Sequence, residues 1–455
     1  MKTIPCSTYG VLGRAIALSL AGCAPLEVAS GYVSHLACSG TFVSGLATAQ
    51  VVRETVAATE GMGLVSRALH YEVDRDHQSV RTAIGPVESV SVYREGRGCL
   101  LLHDSTDRAA HERATRPAHP AAQQAGAREE RDAAPLDPAL AAALERAFAE
   151  TPGPPKRTKA IVVMHEGTIV AERYAAPVTA DTPMLGFSLS KSIINALVGI
   201  LVRDGVLAID APADVAEWRS PDDPRRAITI DDLLRHTSGL DIAETNTGFD
   251  PNTRILFLSR DTAGAAARAP LLEQPGSAFH YASGNTLILA RIVRDAVGGS
   301  EDDFRRFAQR ALFDPLGMAH VTIETDAVGN PLGSMFIFAS ARDWARFGAL
   351  YAERGVIDGQ HILSEDWVAY ASSQTRDSPY AAGFWLGEPS WRQQWDVPDD
   401  LFLASGSLGQ KIAIIPSERL VIVRLGLSSG PNTMDLGGLG QLVHDVRKAL
   451  RPGMR

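Results

Sequence analysis

Gly186-Phe187-Ser188-Leu189-Ser190-Lys191-Ser192 runs directly into the apolar stretch Ile193-Ile194-Asn195-Ala196-Leu197-Val198-Gly199-Ile200. The pattern predicts a helix over Ser190 to Arg203 with Ser188 at its N-terminal edge. Positions i and i+3 share a helix face, so the Lys191 ammonium can reach the Ser188 hydroxyl. A serine hydroxyl is a poor nucleophile until a neighbouring base takes its proton, and a helix N-terminus favours the negative charge that develops on its oxygen. Lys191 serves as that base only if burial and nearby charge lower its pKa. Four common residues in S-x-x-K spacing arise by chance in many chains, so the motif needs company.

Two further stretches supply it. Pro275-Gly276-Ser277-Ala278-Phe279-His280-Tyr281-Ala282-Ser283-Gly284-Asn285-Thr286 is a turn-rich loop that delivers a tyrosine just before a second helix. A phenol held among cations can relay protons between nucleophile and leaving group, although a loop tyrosine more often simply packs on the helix that follows. Ala404-Ser405-Gly406-Ser407-Leu408-Gly409-Gln410 opens an apolar strand pair. A glycine-rich strand start lets substrate approach main-chain N–H groups, and one of these with the Ser188 N–H would make an oxyanion hole; the plainer reading is a connector before a hairpin. The three signals stand in the order a serine-lysine-tyrosine hydrolase requires. Ser188, Lys191 and Tyr281 are therefore the expected catalytic residues, with Ser188, Ser283, Gly406 and Ser407 expected to hold the substrate or its oxyanion.

The wider chain sets the frame. Its 455 residues allow a large catalytic domain plus an appendage, and a 45% hydrophobic, 21% charged composition with net charge -9 describes a globular protein without a nucleic-acid partner. No apolar run reaches the roughly 18 to 20 residues of a membrane span. Residues 1–22 read as an export signal, with Lys2 and Arg14 ahead of a short apolar core from Ala15 to Ala21. Leu20-Ala21-Gly22-Cys23 is similar to the lipobox of bacterial lipoproteins, which would make Cys23 a lipid anchor; an ordinary secretory signal or a short buried helix are the alternatives. The expected location is therefore exported, periplasmic or membrane-anchored. Cys38 and Cys99 remain as a pair able to form a disulfide in an oxidising compartment, or two buried thiols. Metal-ligand spacing is lacking, and neither metal nor cofactor is expected.

Residues 23–106 read as a small accessory module, with a strand over Ser89 to Tyr93. Residues 107–138, rich in Ala, Arg, Glu, Gln and Pro, read as a linker, and 139–455 as the catalytic domain. That domain opens with an amphipathic helix over Ala139 to Ala149 and a hairpin pairing Ala160–Met164 with Thr168–Tyr174. A helical middle follows (Ser190–Arg203, Asp231–Arg235, Gly284–Val297, Asp303–Leu312). Strands return at Lys411–Ile415 and Leu420–Leu425, and a helix near Leu439–Leu450 ends the chain. An α/β fold, an antiparallel sheet built from both ends of the chain, is expected.

Over roughly Ala160 to Arg451 the chain resembles the class C β-lactamases, D-alanyl-D-alanine peptidases and esterases, and most closely hydrolases of the 6-aminohexanoate-dimer type. The resemblance rests on Ser188-Leu189-Ser190-Lys191, Ile228-Thr229-Ile230-Asp231-Asp232-Leu233-Leu234-Arg235-His236-Thr237-Ser238-Gly239-Leu240, Pro315-Leu316-Gly317-Met318, Ala341-Arg342-Asp343-Trp344-Ala345-Arg346-Phe347-Gly348 and the closing Gly-Gln before a strand. It implies a helix-flanked sheet plus a mostly helical lobe, a cleft between them, and acylation of Ser188 followed by hydrolysis. The family's β-lactamases carry asparagine two positions after the tyrosine, where Ser283 stands, and lysine-threonine-glycine where Ser405-Gly406-Ser407 stands without a lysine. A cation there meets the β-lactam carboxylate, so its lack favours small-molecule esters or linear amides over β-lactams or D-Ala-D-Ala peptides. A catalytically silent member of the fold that binds peptidoglycan fragments or acts as a sensor is the reading of another class. His236 reads as part of a structural turn, His280 as pointing away from the site or lining its rim, and Glu244, Trp385, Trp391 and Trp395 as cleft or core residues.

Overall fold

The structure is a computed structural model that describes residues 24–59, 61–104, 107, 137–150, 152–245, 248–429 and 436–451. The signal segment, Cys23 and residues 108–136 of the expected linker lie outside these.

Two helices, α1 (Ala24–Phe42) and α2 (Thr48–Ala58), precede four strands: β1 (Leu69–Asp74), β2 (Ser79–Ile84), β3 (Val87–Arg94) and β4 (Gly98–Leu102). The strands form an antiparallel meander in sequence order. Helix α1 packs on β2, β3 and β4. Small hydroxyl residues on its inner face permit close approach, with Ser34 donating to the Val80 carbonyl at 2.9 Å and Ser30 meeting Thr82. Val33, Ala37, Val52, Met62 and Val80 make a small core around the disulfide that joins Cys38 on α1 to Cys99 on β4. The other side of α1 does not face solvent. Val28 and Leu36 enter the core of the large domain, and Tyr32 sets its ring edge-on to Phe257. Packing also runs one residue past the expected boundary. Asp107, assigned by composition to the linker, accepts from the His103 N–H and from Arg260, a pairing to a distant loop that composition cannot show.

The large domain opens on α3 (Pro138–Phe148), with Pro138 in its first turn and Asp137 capping the Ala139 and Leu140 N–H groups. The hairpin β5 (Thr158–His165) and β6 (Thr168–Tyr174) forms as expected. A helical middle follows, including α4 (Leu189–Arg203), α5 (Ile230–Leu234) and α6 (Ser283–Ala296), and then α7 (Ala341–Ala352). The chain returns to the sheet as β7 (Trp385–Leu386), β8 (Phe402–Gly406), β9 (Gln410–Ile415) and β10 (Leu420–Gly426), before α8 (Leu436–Leu450). The sheet order is β7-β8-β9-β10-β5-β6, all antiparallel, with Ile422 of β10 opposite Val163 of β5.

Period-two alternation serves two cores at once. Ala160, Val162, Ile412 and Val423 face the helical side, whereas Ile161, Val163, Ala413 and Ile422 face α3 and α8. Gly348 lets α7 lie flat on the sheet, since a Cβ there would come within 2.5 Å of Val421. Helix α4 is buried from Leu189 through Leu201, which explains why it is apolar on all sides. Its one amide, Asn195, is satisfied by the Ala382 carbonyl, the Tyr351 hydroxyl and the Trp367 indole N–H, and so fixes the helix in place. This α/β sandwich, with a helical lobe beside the sheet, brings the start of α4, the start of α6 and the end of β8 together.

Candidate active site

The turn into α4 is made at Phe187, whose backbone is left-handed (φ 47°). For a bulky residue that conformation costs about 1–3 kcal/mol and persists only where surrounding packing enforces it. Its result is that Ser188 sits at the N-cap of α4, half-buried, at the positive end of the helix dipole.

Lys191, one turn on, is buried. Its Nζ donates to Ser188 Oγ at 3.0 Å, to Ser283 Oγ at 2.9 Å and to the Ser334 carbonyl at 3.0 Å. All three acceptors are neutral, so burial dominates and pulls the ammonium pKa down to about 8, against the partial support of the Glu244 charge. At that value about a tenth of the molecules carry a neutral amine at pH 7, enough for a general base.

Tyr281 lies across Lys191, with its ring centroid 4.9 Å from Nζ and the Ser188 side chain near enough to its hydroxyl to lower the phenol pKa slightly. Burial, and then the Glu244 and Tyr380 groups, hold the phenol well above its usual pKa, so it rests protonated. Ser283 occupies the position two after Tyr281 and substitutes for an amide there by accepting from Lys191, while its own N–H donates to Glu244 at 2.7 Å. Asn285 is turned elsewhere and accepts from Ser238.

His236 is no partner to Ser188. It stacks on Tyr281 with ring centroids 4.9 Å apart and planes 6° from parallel. Its Nδ1 accepts the Ala282 N–H at 2.8 Å, which leaves the proton on Nε2 facing the Tyr380 hydroxyl. Burial and the Lys191 charge push its pKa well below the usual histidine value, so it stays neutral and holds the tyrosine. His280 is exposed and pairs with Glu273. Trp385 flanks Tyr281 at 5.2 Å, whereas Trp391 bonds the Leu436 carbonyl and Trp395 packs on Gly440, so these two belong to the α8 side of the sheet.

The third motif meets the first through a glycine. A Cβ on Gly406 would fall 2.3 Å from the Gly186 carbonyl and 3.2 Å from the Ser188 nitrogen, so only glycine lets the strand end run alongside Ser188. Ser407 follows, exposed. The cation missing from this stretch arrives from the adjacent strand: Lys411, opposite Ser405, is fully buried and donates to the Ser405 hydroxyl. By strand alternation that pair shares the face of Leu403 and Ala413, turned away from Ser188.

Sequence reasoning passed over Tyr380 and the Ser334 carbonyl, which come from loops without a recognisable spacing, and named Glu244 only as a cleft residue, without its bond to the Ser283 N–H. Among the described residues no group of three or more His, Cys, Asp or Glu could hold a metal ion.

Comparison with known proteins bears on the family and the fold. A 6-aminohexanoate-dimer hydrolase of Paenarthrobacter ureafaciens is 27% identical over 316 residues, covering 64% of this chain and 79% of that protein. Of solved structures, a penicillin-binding protein homologue from Caulobacter crescentus matches with a TM-score of 0.55 at 19% identity, over 69% of this chain and 98% of that one. A family VIII carboxylesterase matches with 0.53 at 15% identity, again over 69% and 98%. These two share the fold. The family described as Beta-lactamase matches residues 144–441, well over half the chain. The chain therefore belongs to the β-lactamase family, as a serine-hydrolase-fold enzyme related to 6-aminohexanoate-dimer hydrolase and the esterases.

Proposed function

We propose that the enzyme hydrolyses a small ester or linear amide through an acyl intermediate on Ser188. The observation that carries this is the buried Lys191 amine, shared between Ser188 Oγ and Ser283 Oγ with a pKa brought down to about 8. In its neutral form Lys191 takes the Ser188 proton as Oγ bonds to the substrate carbonyl carbon. The carbonyl oxygen becomes an oxyanion facing the N–H groups of Ser188 and Ser407. As the bond to the leaving group breaks, the proton on Lys191 passes through the Tyr281 hydroxyl to the departing alcohol or amine. Water then adds to the acyl-enzyme, giving its proton back along the same path, and Ser188 leaves with a proton restored.

The orientation of Lys411 away from Ser188 supports esters and linear amides over β-lactams, whose carboxylate needs a cation in the cleft. Export to an oxidising compartment belongs to the same proposal and is supported by the Cys38–Cys99 disulfide.

The test compares initial rates of wild type and Ser188→Ala on a short-chain nitrophenyl ester, a linear aminohexanoate dimer and a chromogenic cephalosporin. Turnover of the ester or the amide, lost by about 10⁴-fold or more in Ser188→Ala, is expected. Turnover of the cephalosporin alone would establish a β-lactamase instead, and turnover that survives the substitution would remove Ser188 as nucleophile.

A further inference from the structure

The family match begins at residue 144, so the α1–β4 module is an addition to the catalytic fold. It touches the large domain at several places, through Arg94 and Arg97 to Glu301 and Asp302 and, elsewhere, at segments that build the site. At the end of α2, Ala58 forms a buried cluster with Phe187 and Leu408, backed by Leu185, Met335 and Leu427. Phe187 is the residue before Ser188, and Leu408 is the residue after Ser407. Both are non-glycine residues in left-handed backbone, φ 47° and 59°. Strained conformations of this kind hold only where packing over-determines them, and here the module contributes a small side chain to the buried cluster that contains both.

Other contacts of the module reach residues next to the site. Glu54, one turn earlier on α2, meets Lys159 of β5 at 2.7 Å. His35 stacks on Phe336 at 4.1 Å, two residues from the carbonyl that accepts from Lys191, and bonds the buried carboxylate of Glu324. Pro25 and Val28 at the start of α1 lie within 4.0 Å of a Cβ placed on Gly248, in the loop that follows Glu244.

We infer that the N-terminal module is a positioning element of the hydrolase, in which Ala58 holds the two backbone turns that present the Ser188 and Ser407 N–H groups to the oxyanion. This rests on the acyl-enzyme reading above. It makes a specific demand: disturbing Ala58 should weaken transition-state binding and leave substrate binding alone.

The experiment measures kcat and KM on whichever ester or amide the wild type turns over, together with inhibition by phenylboronic acid, whose adduct on Ser188 places a charged oxygen where the oxyanion forms. Ala58→Leu overpacks the cluster and Ala58→Gly empties it, with circular dichroism and thermal unfolding recorded for each. For Ala58→Leu a kcat loss of about tenfold or more is expected, with KM within about twofold and boronate affinity falling in parallel. Ala58→Gly should lose about threefold and decides the matter if Ala58→Leu does not fold. Folded variants with wild-type kcat, a loss carried by KM, or unchanged boronate affinity would each overturn the module's role. Ser188→Ala in the same series separates the two ideas. If it is inactive while the Ala58 variants are normal, only the module's role fails; if it stays active, the acyl-enzyme reading fails first.

Discussion

Two buried charged side chains of this protein are treated in opposite ways. Lys191 donates to two hydroxyls and a carbonyl and meets the Glu244 carboxylate only at a remove through Ser283. Glu324, at the seam between the module and the large domain, is fully buried and receives His35 Nε2 at 2.8 Å, Ser39 Oγ at 2.7 Å and the Cys99 N–H at 2.7 Å. A buried charge given only neutral partners is destabilised and becomes reactive, whereas one whose acceptor sites are filled becomes a structural fastener. The same burial thus serves chemistry at one place and cohesion at the other.

Removing each group should separate the two roles. Lys191→Met deletes the base and is expected to lower kcat/KM by at least about 10³-fold while the melting temperature holds or rises, because an isosteric apolar side chain relieves the buried cation. A melting temperature that falls sharply would make Lys191 structural and erase the contrast. Glu324→Ala leaves three buried donors without their acceptor and should lower the unfolding free energy by about 3 kcal/mol or more, read by urea denaturation, with a far smaller loss of turnover per folded molecule. The smallest effect sharpens the picture at Lys191. With its pKa at about 8, kcat/KM should rise about tenfold per pH unit below that value and level off above it, since only the neutral amine accepts the proton. Glu244 supports the charged form, so Glu244→Gln should move the inflection to lower pH. A profile without inflection between about pH 7 and 9 would remove Lys191 as the base.

What could be read in advance follows from how local each feature is. The β5–β6 hairpin, strands β9 and β10 and helices α3, α4, α5 and α6 repeat at period two or 3.6 and end at turns such as Pro416-Ser417-Glu418, so they were legible to within two residues, whereas β7, β8 and α7 were not named. Ser188, Lys191 and Tyr281 were legible because helix spacing and motif order bring them together. Tyr380, the Ser334 carbonyl and the docking of Glu324 onto His35 were not, for each contact joins residues more than a hundred positions apart in the chain, where packing rather than pattern decides it. The packing of α1 between two cores was not legible for the same reason: nothing in its spacing shows that its two faces serve different cores.

The sheet carries a consequence for the life of the chain. Strand β5 borders β10, so Ala160 waits for Leu425 and His165 for Leu420, a separation of roughly 250 residues. At ordinary ribosomal speed this is an interval of roughly 12 to 50 seconds. Throughout it one edge of the β5–β6 hairpin has its hydrogen-bonding groups open, and helix α4 has been made before the sheet beneath it exists. Nascent chains of this protein therefore pass through a long period of vulnerability to edge-to-edge pairing, and completion of the fold comes late and all at once, with the arrival of its last strand.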